Sequence, residues 1–168
     1  MSRFGRIALA ILVVVAVGGA YLWWSSPERQ IRRVLSDIAE ALSYDAPATA
    51  LGAASSAASL QPYFAPDVTI EPGEPYGRVK GRDAVLAAAA RLRSRAAAFR
   101  VEFVDLQVSL AADKRSARID CTATATVQDG PGQESMDARE IMMTMNTMDG
   151  RWVITWARAV DVLEPVTR

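Results

Sequence analysis

The chain predicts an α+β domain: a strongly curved antiparallel sheet of four long strands plus one short strand, packed on about three helices and preceded by one membrane-spanning helix. Three observations carry this expectation. The first is strict alternation along Arg115–Val127, where Ala117, Ile119, Cys121, Ala123, Ala125 and Val127 are apolar and the residues between them polar. Successive side chains of a strand point to opposite faces, so such a run has one dry face and one wet or interfacial face. The second is that three more alternating runs, Phe99–Leu110, Ser135–Thr147 and Arg151–Val160, lie around it and are separated by turn signals. The third is the helical spacing and alanine content of the segments that precede them.

In chain order, Ile7–Trp24 is free of charge and ends in Tyr21, Trp23 and Trp24. Its length matches the hydrocarbon thickness of a bilayer, and aromatic rings settle at the headgroup level. It reads as a membrane anchor; the alternative is a cleaved signal peptide ending at Gly18-Gly19-Ala20. Either reading places the following domain on the extracytoplasmic side of the inner membrane. Ser25-x-x-Glu28 with Pro27 fits a capped helix start. Ile31, Val34, Leu35, Ile38 and Leu42 then form one stripe of a helix over Pro27–Ser43.

Ala48–Leu60 is alanine- and serine-rich and reads as a second helix, or else a linker. Gln61–Phe64 continues as a short helical turn, and Asp67–Glu71 is a short strand. Gly81–Ala98 is the third helix, with Val85, Ala88, Ala89 and Leu92 on one face. In Phe99–Leu110 the apolar parity flips from Phe103 to Leu106, which predicts a β-bulge near Val104–Asp105. A second slip is expected around Arg139–Ile141. Asp149-Gly150 signals a tight hairpin. The domain division is therefore 1–26 anchor, 27–163 folded domain and 164–168 tail.

Composition excludes several function classes. The chain has 19 basic and 19 acidic residues, so nothing draws it to nucleic acid in bulk. It has no histidine and a single cysteine, Cys121. That removes Ser-His and Cys-His nucleophiles, an internal disulfide and the usual zinc ligands, and no metal or cofactor is expected.

The order of elements, with Tyr63-Phe64-Ala65-Pro66-Asp67-Val68-Thr69-Ile70-Glu71, Gly81-Arg82-Asp83-Ala84-Val85 and Asp149-Gly150-Arg151-Trp152-Val153-Ile154, resembles the nuclear transport factor 2-like superfamily. That superfamily includes the SnoaL-like cyclases and the ketosteroid isomerases. The resemblance spans about Ile31–Val160. It implies a conical roll with a pocket at its wide end, and dimers through the outer sheet face.

An isomerase-like site would need a carboxylate base facing an oxyanion-stabilising group inside the cone. The alternating face of Arg115–Val127 supplies no acid, which leaves Glu140 at the expected slip and Asp67 at a strand start as candidates. Tyr63, Tyr76, Cys121, Met143 and Trp156 are expected to line the pocket, within a methionine-rich strand suited to apolar ligands. Arg118, Asp120, Thr122, Thr124 and Thr126 form an outer ridge expected to meet a second copy or a partner. The expected function is an anchored binding or assembly module, non-catalytic, in an arrangement similar to the inner-membrane assembly factors of type IV secretion systems. The alternatives are a SnoaL-like or isomerase-like enzyme and a binder of an apolar small molecule.

Overall fold

The computed structural model describes residues 26–46, 49–73, 77–95, 97–130 and 133–160. The expected membrane span lies outside these residues; among them no helix is long and apolar enough to cross a membrane. The elements run α1 (Pro27–Leu42), α2 (Ala50–Ser59), a 3-10 turn (Gln61–Tyr63), β1 (Phe64–Glu71), β2 (Val79–Lys80), α3 (Arg82–Arg95), β3 (Ala98–Leu110), β4 (Ser116–Gly130), β5 (Gln133–Met148) and β6 (Arg151–Val160).

The six strands form one curved, unclosed sheet in the order β2-β1-β6-β5-β4-β3. The expectation of a wholly antiparallel sheet is corrected at β1, which runs parallel to β6. β3 to β6 are joined by short turns, and short turns enforce antiparallel pairing. β1 reaches β6 only after a helix and four strands intervene, so local turn chemistry does not set its sense. The two-residue β2 was also not foreseen; it pairs with Thr69 and Ile70 of β1.

α1 is amphipathic, and its buried residues Ile31, Leu35 and Ile38 are those of the expected stripe. Its N-cap is Ser26, whose side chain makes no capping bond, so the box expected from Ser25 and Glu28 is not what starts the helix. α2 is capped by Thr49, whose hydroxyl accepts from the Gly52 N–H at 3.2 Å. α3 turns Val85, Leu86 and Ala89 to the core, while Ala88 and Leu92 are exposed. The core between the helices and the sheet is filled by Ile31, Leu35, Leu60, Val68, Ile119, Met145 and Trp152, each at most 5% exposed. Burying side chains of this size contributes roughly 1.5–3 kcal/mol apiece.

Two bulges set which side chains look inward. In β3 the pairing jumps from Val104↔Thr122 to Gln107↔Asp120, with Asp105 at φ 55°. That is the bulge expected there, and it brings Phe103 and Leu106 onto the same face. The slip expected at Arg139–Ile141 is absent, because β4 and β5 pair without a break from Ser116↔Asn146 to Gln128↔Glu134. The second bulge lies in β6: Thr144 pairs with Trp156 and Met145 with Ile154, so Thr155 is the extra residue. Its hydroxyl donates to the Thr144 carbonyl at 3.1 Å. The β5–β6 hairpin turns through Asp149 and Gly150, both at positive φ, as the type I′ turn of an Asp-Gly pair requires.

β3 is an edge strand, and its first residues are covered. The backbones of Tyr44 and Phe99 exchange N–H···O bonds of 2.7 and 2.8 Å. The Val101 N–H donates to the Ser43 hydroxyl at 3.1 Å. Past the bulge, Arg32 of α1 donates to the Leu106 carbonyl at 2.9 Å. Tyr44 is held in turn by its hydroxyl donating to the Leu92 carbonyl, 3.1 Å, and by the Arg93 guanidinium 4.5 Å above its ring.

Candidate functional site

The concave face of the sheet changes character along its length. Near the β5–β6 hairpin its inward positions carry Ile119, Met143, Met145 and Trp152, which share one core with Ile31, Leu35 and Ile38 of α1. Farther along the strands the inward positions of β4 are Ala123 and Ala125, and those of β6 are Ala157 and Ala159. Methyl groups in place of full side chains leave a cavity of about 450 Å³. Ile38 and Leu42 of α1, Phe64 and Ile70 of β1, Phe99 and Phe103 of β3, and Ile141, Met143 and Ile154 complete its walls. The volume lies within the range of small-molecule sites, which are mostly apolar with a few placed polar groups.

Among the described residues the ionisable residues bordering the cavity are Glu71, Asp137, Arg139 and Arg158, Arg158 being paired with Glu71 and Met142 at the parity opposite to the inward Ala157. Asp137 and Arg139 occupy inward positions of β5, opposite Ala125 and Ala123. Arg139 Nε donates to Asp137 Oδ2 at 2.9 Å, and its Nη1 donates to the Pro72 carbonyl at 3.1 Å. Glu71 pairs with Arg78 at 2.8 Å and lies 3.8 Å from Arg158. These charges sit at the end of the cavity where β1 finishes, and its remaining walls are carbon.

The sequence-predicted site residues divide. Met143, 2% exposed, lines the cavity. Cys121 is on the same concave face, but it packs in the core rather than the cavity wall. Burial, reinforced by the charge of Asp120, pushes its thiol up to about 11, which leaves it unreactive at neutral pH. Trp156 is corrected: the extra residue Thr155 reverses parity, so Ala157 and Ala159 face inward and Trp156 sits between Thr69 and Thr144 on the convex side. Tyr63 packs on the core edge outside the cavity. Its hydroxyl is held above the ordinary tyrosine range by burial and by the negative Asp37 and Glu40, so it is a poorer proton donor. Tyr76 lies outside the described residues.

Both candidate carboxylates are also corrected. With β5 unbroken in register, Glu140 pairs with Thr122 and Val160 on the convex face and is exposed. Asp67 is exposed on β1, outside the cavity lining. Of the methionine cluster, only Met143 and Met145 point inward and are buried; Met136 is 71% exposed and Met148 38%. The ridge residues Arg118, Asp120, Thr122, Thr124 and Thr126 do lie on the convex face, where Arg118 and Asp120 pair at 3.1 Å. Thr122 and Thr126 are flanked by Val104 and Met136, which are 40% and 71% exposed. Among the described residues no three His, Cys, Asp or Glu side chains converge as a metal site would require.

Sequence reasoning missed the wall residues from α1 and β1, which come from distant parts of the chain. It also missed the Asp137–Arg139 rim, although the signal was present. Polar residues at inward parity were read as a change of phase, when the phase continues and the environment changes instead.

The family model of the SnoaL-like domain matches residues 48–155. The chain belongs to the SnoaL-like family. Solved structures share its fold at low identity. A provisionally assigned scytalone dehydratase from Novosphingobium aromaticivorans is 14% identical, covering 84% of this chain and 93% of that one, with a TM-score of 0.66. A nuclear transport factor 2-like protein with a cystatin-like fold from the same organism is 14% identical over 84% and 85% of the two chains, TM-score 0.64. A provisionally assigned dehydratase of the nuclear transport factor 2-like family from Streptomyces avermitilis is 19% identical over 81% and 96%, TM-score 0.61. No curated protein matches the chain. Identities this low carry the roll, and fold alone does not carry a reaction.

Proposed function

We propose that this SnoaL-like domain is a binding module that holds an apolar small molecule in its cone and performs no acid–base chemistry on it. The observation that supports this reading is the lining of the cavity: its depth is carbon, and its charges are already paired at the rim. A dehydratase of the kind named among the structural neighbours must move a proton at the substrate, which calls for a poised acid or base within hydrogen-bond reach. The two carboxylates that the sequence offered for such work lie outside the cavity. At roughly 30 Å³ per water-sized group, the space suits a ligand of about fifteen non-hydrogen atoms.

The test is titration with the neutral fluorophore N-phenyl-1-naphthylamine. Saturable binding at one site per chain, displaced by apolar compounds of this size, is the expected result. No saturable binding, or turnover of a hydroxylated substrate that vanishes in Asp137→Asn, would overturn it.

Two further placements belong to this reading. The charge-free Ile7–Trp24 run, with its aromatic end, supports a tether that holds the domain on the extracytoplasmic side. Release of the full chain by alkaline carbonate, or activity of a cytoplasmic reporter fused at the C-terminus, would refute the tether or its orientation. The exposed Val104 and Met136 beside the threonine ridge support a homodimer through the convex face. Sedimentation of the wild type as a monomer at high micromolar concentration would refute that contact.

A further inference from the structure

The rim is not symmetric in sign. Glu71 faces two guanidinium groups, Arg78 and Arg158, and its side chain is only 23% exposed. It is therefore already compensated. Among the described residues Asp137 pairs with Arg139 alone, and its side chain is 62% exposed against 34% for the arginine. Arg139 also lies one inward position deeper than Asp137, opposite Ala123 and in line with Phe103 across the sheet. Its guanidinium is fixed over the opening by the Pro72 carbonyl. The ionisable group standing over the apolar space is thus a cation whose carboxylate partner sits in solvent.

We propose that the cavity selects amphiphiles with an anionic end, a carboxylic acid of medium chain length being the simplest. The ligand's carboxylate takes the place of Asp137 on Arg139 while its apolar body fills the cone. This deepens, and rests on, the binding reading given above. The exchange costs little, because an ion pair this exposed contributes little to stability. The incoming carboxylate recovers a charge-assisted hydrogen bond to a planar fork suited to carboxylates. The apolar tail then supplies the net gain through burial. A cationic ligand would instead have to draw on Asp137, the more exposed of the two, and would leave Arg139 without its carboxylate.

The experiment is displacement of N-phenyl-1-naphthylamine from the full chain by dodecanoic acid and by 1-dodecanol. It is run on the wild type, Arg139→Gln and Asp137→Asn, with thermal melts to confirm that each variant folds. In the wild type the acid is expected to displace the probe at about tenfold lower concentration than the alcohol. Arg139→Gln should abolish that preference, so that the acid displaces the probe no better than the alcohol does. Asp137→Asn should strengthen acid binding a few-fold, since it removes the internal competitor. Equal displacement by acid and alcohol in the wild type, or a preference that survives Arg139→Gln, overturns this inference and leaves the apolar cavity standing. Failure of the probe and both competitors to bind overturns the cavity reading as well.

Discussion

Filling the cavity is the perturbation that most directly tests whether it is built for a ligand. Ala157 is 9% exposed, pairs with Met143 on β5 and Ile70 on β1, and contributes a bare methyl group to the cavity wall. Replacing it by leucine adds three carbon atoms to the free space. Burial contributes about 0.8 kcal/mol per methylene, against about 0.5–1 kcal/mol of rotamer entropy lost by a fixed leucine. The expected net effect of Ala157→Leu is a stabilisation of about 1.5 kcal/mol, read as a raised urea midpoint at unchanged slope. The same side chain occupies about a fifth of the volume, at roughly 30 Å³ per group, so fluorophore binding should weaken tenfold or more. Stability and binding would then move in opposite directions, as expected where a site is kept open at the expense of packing. Destabilisation by more than about 1 kcal/mol, which is the signature of overpacking, would show that the space is not there. Stabilisation with unchanged binding would show that ligands go elsewhere.

Three further outcomes follow from particular residues. Glu140→Gln and Asp67→Asn, both exposed and outside the cavity, should each change stability by no more than about 0.5 kcal/mol and leave probe binding unaltered; a tenfold loss in either would reinstate that carboxylate. Asp105→Val places a β-branched residue at φ 55° and should cost about 1–2 kcal/mol in urea unfolding, whereas Asp105→Gly should cost nothing. Cys121 should resist an aromatic disulfide reagent at pH 8 until the chain unfolds. Because its thiol holds its proton to about 11 in the fold against an ordinary value of 9.0, the unfolded chain ionises first as pH rises. Its contribution is therefore complete below about pH 9 and declines toward pH 11; a Cys121→Ala variant should lose that part of the alkaline decline.

Much of the fold was legible because its signals are local. The stripe of Ile31, Leu35 and Ile38, the alternation of β4, the Asp149-Gly150 turn and the bulge at Asp105 each occupy a few consecutive residues. The parallel pairing of β1 with β6 was not, because no short segment records a contact between strands so far apart in the chain. The cavity was half legible. Ala123 and Ala125 were placed inward correctly, yet their small size was the informative property, and it shows only once the facing helix and strands are known. Trp156 was misplaced by one inserted residue, and Arg158 was the clue: an unbroken alternation from Trp152 and Ile154 would have driven that arginine inward as well.

The clip formed by Ser43 and Tyr44 at the start of β3 has a consequence for how this molecule can meet others. It occupies the backbone positions through which a foreign strand would otherwise begin to extend the sheet, and Arg32 takes a further one beyond the kink at Asp105. Polymerisation by lateral strand addition is obstructed along that margin. An associating protein must then approach this side of the sheet flat-on, through side chains, where recognition depends on shape and charge rather than on the shared grammar of peptide groups.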